Sequence, residues 1–74
     1  MDENIEYAKS LYEWNEERNH LIQKSDGNIV AEVVKTKDVW VANNTSRTTK
    51  KKIGTFETVE LARHAVEHAF GLRE

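Results

Sequence analysis

The 74-residue chain contains no cysteine and no proline, and it has only three glycines. Without cysteine there is no disulfide and no thiolate metal site, and a reducing compartment suits the chain. Without proline, Gly27, Gly54 and Gly71 are the only strong punctuation. No stretch approaches the roughly 20 apolar residues that a membrane span needs. The opening Met1-Asp2-Glu3-Asn4 is acidic and lacks the apolar run of a signal peptide. A soluble, cytoplasmic protein with no membrane partner is therefore expected. Apolar residues make up 38% and charged residues 32%, a globular balance rather than a disordered one. That supports one small core, hence a single domain over 1–74, marginal in stability because the usual staples are missing.

The net charge of −2 hides an uneven distribution. Residues 1–27 carry seven acids against three bases, whereas residues 28–56 carry two acids against six bases. Residues 57–74 return to four acids against two bases. The middle of the chain is thus basic between two acidic ends, which marks a nucleic-acid face or lets the segments attract one another.

Hydrophobic periodicity divides the chain into three parts. Residues 1–24 read as an acidic N-terminal helix, with Asp2 as N-cap and the helical stretch running from 3 to about 20. Tyr7, Leu11, Trp14, Arg18 and Leu21 share one helical face in this reading. Were His20 to Lys24 extended, the turn signal Ser25-Asp26-Gly27-Asn28 would instead close a hairpin. Residues 28–56 read as a basic antiparallel sheet of three strands: 28–36, 39–42 and 50–56. The first is apolar on both faces, broken only by Glu32, so it should be covered on both. In Gly54-Thr55-Phe56-Glu57-Thr58 the strand ends, the chain turns at Gly54, and a C-terminal helix over 58–71 begins at its Thr58 cap. Ala62, Ala65, Val66, Ala69 and Phe70 form its apolar stripe and Gly71 its stop. The expected fold is α+β, with the C-terminal helix packed on one face of the sheet. The N-terminal helix covers the other face or serves a partner, and a homodimer is a second way to cover it.

Gly54-Thr55-Phe56-Glu57-Thr58 with Ala62 and Ala65, and Val30-Ala31-Glu32-Val33 before them, resemble the DNA-binding domain of the plant ethylene-response-factor type. The same plan of three strands and a helix occurs in the arm-binding domains of phage integrases. The resemblance implies a sheet that reads the DNA major groove, mainly through arginines and tryptophans. Here Glu32 stands at the family's strand glutamate, Val34 at an arginine, Lys50 at another arginine and Lys52 at a tryptophan. It follows that Lys50 and Lys52 would position phosphates rather than read bases.

The candidate nucleic-acid contacts are therefore Lys35, Lys37, Arg47, Lys50, Lys51 and Lys52, with Trp40 as a base-stacking residue. The plainer reading is that the lysines guard a strand edge and Trp40 belongs to the core. A second class of function uses the acidic, aromatic N-terminal segment. Tyr7, Leu11, Trp14, Glu13 and Glu17 would there dock a host protein such as an RNA polymerase, a nuclease or a CRISPR effector. His64-Ala65-Val66-Glu67-His68 matches the H-x-x-E-H pattern of inverted zinc peptidases. A peptidase also needs a third ligand and a cleft, so chance explains the match better. No catalytic residue, metal site or cofactor is expected. The expected protein is a small regulator of phage or mobile-element type, binding DNA or a nucleic-acid-processing host protein.

Overall fold

The computed structural model describes residues 3–17, 19–46 and 50–73. Helix α1 spans Glu3–Leu11 and runs directly into strand β1, Tyr12–Asn15. Strands β2 (His20–Gln23), β3 (Ile29–Thr36), β4 (Val39–Asn44) and β5 (Lys51–Phe56) follow, and helix α2 (Val59–Ala69) comes last. The strands pair antiparallel in the order β1-β2-β3-β4-β5. The α+β class is as expected. The sheet, however, has five strands where the sequence pattern gave three, and the N-terminal helix stops at Leu11 instead of reaching residue 20.

The extra hairpin arises because residues 12–21 satisfy two patterns at once. As a strand, the segment puts Tyr12 and Trp14 on one face, with Leu21 directly across from Trp14. Leu21 is completely buried, and both aromatic rings pack against the same cluster. Tyr12 also meets Phe70 edge to face, with ring centroids 5.4 Å apart. A short isolated helix is marginal in water, so these distant contacts override the local stripe. The Ser25–Asn28 turn closes the β2–β3 hairpin. There Gly27 takes φ 75°, and the Asn28 amide donates to Asp26 Oδ1 at 2.9 Å. Asp2 and Arg18, expected in the helix, lie outside the described residues.

Two irregularities shape the sheet. Pairing shifts between Leu21 and Ile22, so that consecutive Val30 and Ala31 are both buried. A bulge turns two neighbouring side chains to the same face, which strict alternation forbids. The second shift lies between Ala42 and Asn43, opposite Ile53 and Gly54. The chain does not turn at Gly54, contrary to expectation, because β5 continues to Phe56. Glycine is needed there for space. A Cβ on Gly54 would stand 2.8 Å from Cζ of Phe56, whose ring folds back over the strand.

Helix α2 packs on β3, β4 and β5. Its Ala62 and Val66 are fully buried against Leu21, Ala31, Val33 and Ala42. Leu21 and Val66 are the largest fully buried side chains, each worth about 1.5–3 kcal/mol of burial. Thr58 Oγ1 accepts the Leu61 amide at 3.2 Å and so caps the N-terminus. At the other end Gly71 takes φ 77°, with Gly71 N bonded to His68 O and Leu72 N to Glu67 O. That is a Schellman closure, which favours glycine at this left-handed position. Helix α1 does not cover the second face of the sheet. It packs on β1, an edge strand, with Ala8 buried. Among the described residues no helix is long and apolar enough to cross a membrane.

Candidate functional site

Cross-strand partners share a face of a sheet, so the register identifies what the uncovered face presents. One row crosses every strand: Asn15, His20, Glu32, Asn43 and Lys52. The next row toward the β3–β4 turn is Val34, Val41 and Thr55, and beyond it lie Thr36 and Val39. On the other side of the polar row are Glu13, Ile22 and Ile29. Val34 is 41% exposed and Ile29 43%, values that no core position shares.

The polar row is organised around Glu32. Its Oε2 accepts from Lys50 Nζ at 2.9 Å and from Asn43 Nδ2 at 3.1 Å. These bonds confirm that Lys50 also projects from the open face. The hydrogen bond from Lys50 holds the Glu32 carboxyl below its usual value. Partial burial opposes this, while Asn43 and the nearby His20 reinforce it. Among the described residues, the formal charges of the face balance, Glu13 and Glu32 against Lys50 and Lys52.

The expected nucleic-acid set is not gathered into one patch. Lys35 and Trp40 are cross-strand partners in a row with Phe56, on the side where α2 packs. Lys35 Nζ stands 5.8 Å from the Trp40 ring centroid. Trp40 packs half-buried against the core, so it offers no stacking platform on the open face. Lys37 occupies the β3–β4 turn. Lys51 is opposite Asn44 at the far end of β4, and Lys52 projects from the open face. Lys37 and Lys51 are separated by about 20 Å, six residues of strand. Arg47 lies outside the described residues.

The expected protein-docking stripe is dispersed too. Tyr7 is 67% exposed on α1, but Trp14 belongs to β1 and is locked in place. Its indole N–H donates to Glu67 Oε2 at 3.0 Å, and the Arg63 guanidinium lies 4.3 Å from the ring centroid. Arg63 in turn makes a bidentate pair with Glu16, both bonds 2.9 Å. The bonds from Arg63 draw the Glu16 carboxyl downward, and Glu16 holds Arg63 upward. Leu11 is half-buried, Glu17 is exposed in the β1–β2 turn, and Glu13 projects from the open face.

Two other candidates offer little. A cleft of about 220 Å³ is lined by Tyr12, Trp14, Leu21 and Leu72 with Lys9, Glu13 and Glu67. Small-molecule sites usually run from about 300 Å³ upward, and this cleft falls below that range. In the H-x-x-E-H segment, Glu67 is engaged by Trp14 and by Arg73 Nε at 3.0 Å. Among the described residues, no group of three His, Cys, Asp or Glu is placed to hold a metal ion.

His20, Asn43 and Asn15 were not singled out by sequence. Asn43 was within reach: a two-residue turn at Lys37-Asp38 pairs Thr36 with Val39 and hence Glu32 with Asn43. His20 and Asn15 required the β1–β2 hairpin. Comparison with protein-family models, curated proteins and solved structures finds no match to this chain.

Proposed function

We propose that this chain is a small non-enzymatic binding protein, a regulator or inhibitor whose open sheet face holds a protein partner. The observation that carries the reading is the make-up of that face. An apolar centre, Val34 and Val41, adjoins polar groups of balanced charge. An apolar core within a polar rim is the anatomy of a protein–protein interface. A phosphate backbone demands net positive charge, and the described residues of this face supply two lysines against two glutamates. Width argues the same way: five strands span about 19 Å, against about 12 Å for the DNA major groove. The test compares the proteins, a second copy of the chain included, that the wild type and Val34→Glu capture from a host lysate supplemented with the untagged chain. A captured protein lost by the folded variant supports the reading, and equal capture by both counts against it.

A second reading keeps nucleic acid as the partner, contacted from the β5 edge. What favours it is that Lys51 and Lys52 are exposed and take no ion pair among the described residues. Titration with duplex DNA at two salt concentrations tests this. It requires salt-sensitive amide shifts in β4 and β5 that Lys51→Glu and Lys52→Glu abolish.

A further inference from the structure

We infer that the occupant of the open face is a second copy of this chain, packed face to face about a two-fold axis parallel to the strands. The inference rests on the proposal that this face is the contact surface, and it names the partner.

Three observations lead to it. The first is where the charge lies. Glu13 projects from β1 and Lys52 from β5, and these are the two edge strands of the sheet. A two-fold along β3 lays each β1 over the other copy's β5. Glu13 then faces the strand end that bears Lys50 and Lys52, and the pairing occurs twice by symmetry. Asn15 faces the other copy's Lys52, and His20 its Asn43. A two-fold across the strands would instead lay β1 over β1 and β5 over β5, and so gather like charge at each edge. Charge therefore selects the axis.

The second observation is the apolar centre. Val34 lies on the middle strand, so the two-fold brings it against its own copy, beside Val41. Strands of the two sheets stay nearly aligned under this operation, which is the common way for sheets to stack, about 10 Å apart. Glu32, also on β3, approaches the axis already neutralised by Lys50 and Asn43.

The third is the size of the core. Among the described residues four of the eight buried apolar side chains are alanines, and the chain has no cysteine for a disulfide. Domains this small commonly gain stability by oligomerising. Five strands about 19 Å across and six residues, about 20 Å, long offer a flat area of about 400 Å². That is below the roughly 800 Å² per partner of a stable interface, so the dimer is weak and reversible.

Sedimentation of the full chain from micromolar to millimolar concentration tests the inference. The mass should rise from one chain toward two, and Val34→Glu should stay monomeric. Glu13→Lys should weaken association about tenfold, and Glu13→Lys combined with Lys52→Glu should restore it. Wild type that stays monomeric throughout overturns the inference. So does a folded double variant that fails to recover. Such a result leaves the face itself to be judged by the Val34→Glu capture experiment, so the two failures are told apart.

Discussion

Trp14 and Glu67 meet through a 3.0 Å hydrogen bond that joins residues 53 apart in sequence. The bond ties the first strand to the last helix. Arg63, one turn earlier on the same helix, lies over the Trp14 ring and pairs with Glu16, so it holds the same hairpin. This contact set is what makes residues 12–23 a hairpin.

Trp14→Phe keeps a ring for Arg63 but removes the donor to Glu67. It should cost about 1 kcal/mol, because Glu67 retains Arg73 and some solvent. Urea unfolding monitored by circular dichroism reads this directly. An unchanged midpoint would show that the bond does not hold the hairpin.

Glu32 links stability to pH. Its folded pKa is depressed below the ordinary 4.5, first through Lys50. A depressed carboxylate contributes stability that is fully present above the unfolded value and lost as pH falls through the folded one. Glu32→Gln should therefore be less stable than wild type at neutral pH, with the gap narrowing as pH drops below 4.5. Paired denaturation curves across that range check it. A gap that stays constant would mean that the Lys50 contact carries no weight.

Gly54→Ala places a methyl 2.8 Å from the Phe56 ring, which packs against the core. Displacing the ring should cost about 1–3 kcal/mol, as overpacking does. The thermal midpoint should fall, and a rise would show that the ring swings aside freely.

Lys37 adopts φ 46° in the β3–β4 turn, a conformation unfavourable for a side chain with a Cβ. Lys37→Gly should stabilise the protein by about 0.5–1 kcal/mol. If the variant melts lower, the lysine makes a contact that outweighs the strain.

Much of this fold was legible in the sequence, and the gap has a physical cause. Thr58, Gly71 and the break between strands 28–36 and 39–42 are local signals, and they place α2 and the β3–β4 hairpin correctly. Residues 12–21 carry helical and strand periodicity together, and the choice is made by Leu21 and Trp14 through partners far along the chain. No local window contains those partners. The face each residue occupies was harder still. Trp40 reads correctly as a strand residue, but its packing on the α2 side depends on pairing with Lys35 and Phe56. The open row needed the whole register, including one bulge at Val30 and another at Ile53, before Lys52, Asn43 and His20 could be aligned.

The central claim is that the open face is a contact surface whose occupant is a second copy, and methyl NMR over a dilution series tests it most directly. The account predicts concentration-dependent shifts at Val34 and Val41, with none at Leu61, which is exposed on α2. Shifts at Leu61 with silence at both valines would contradict it.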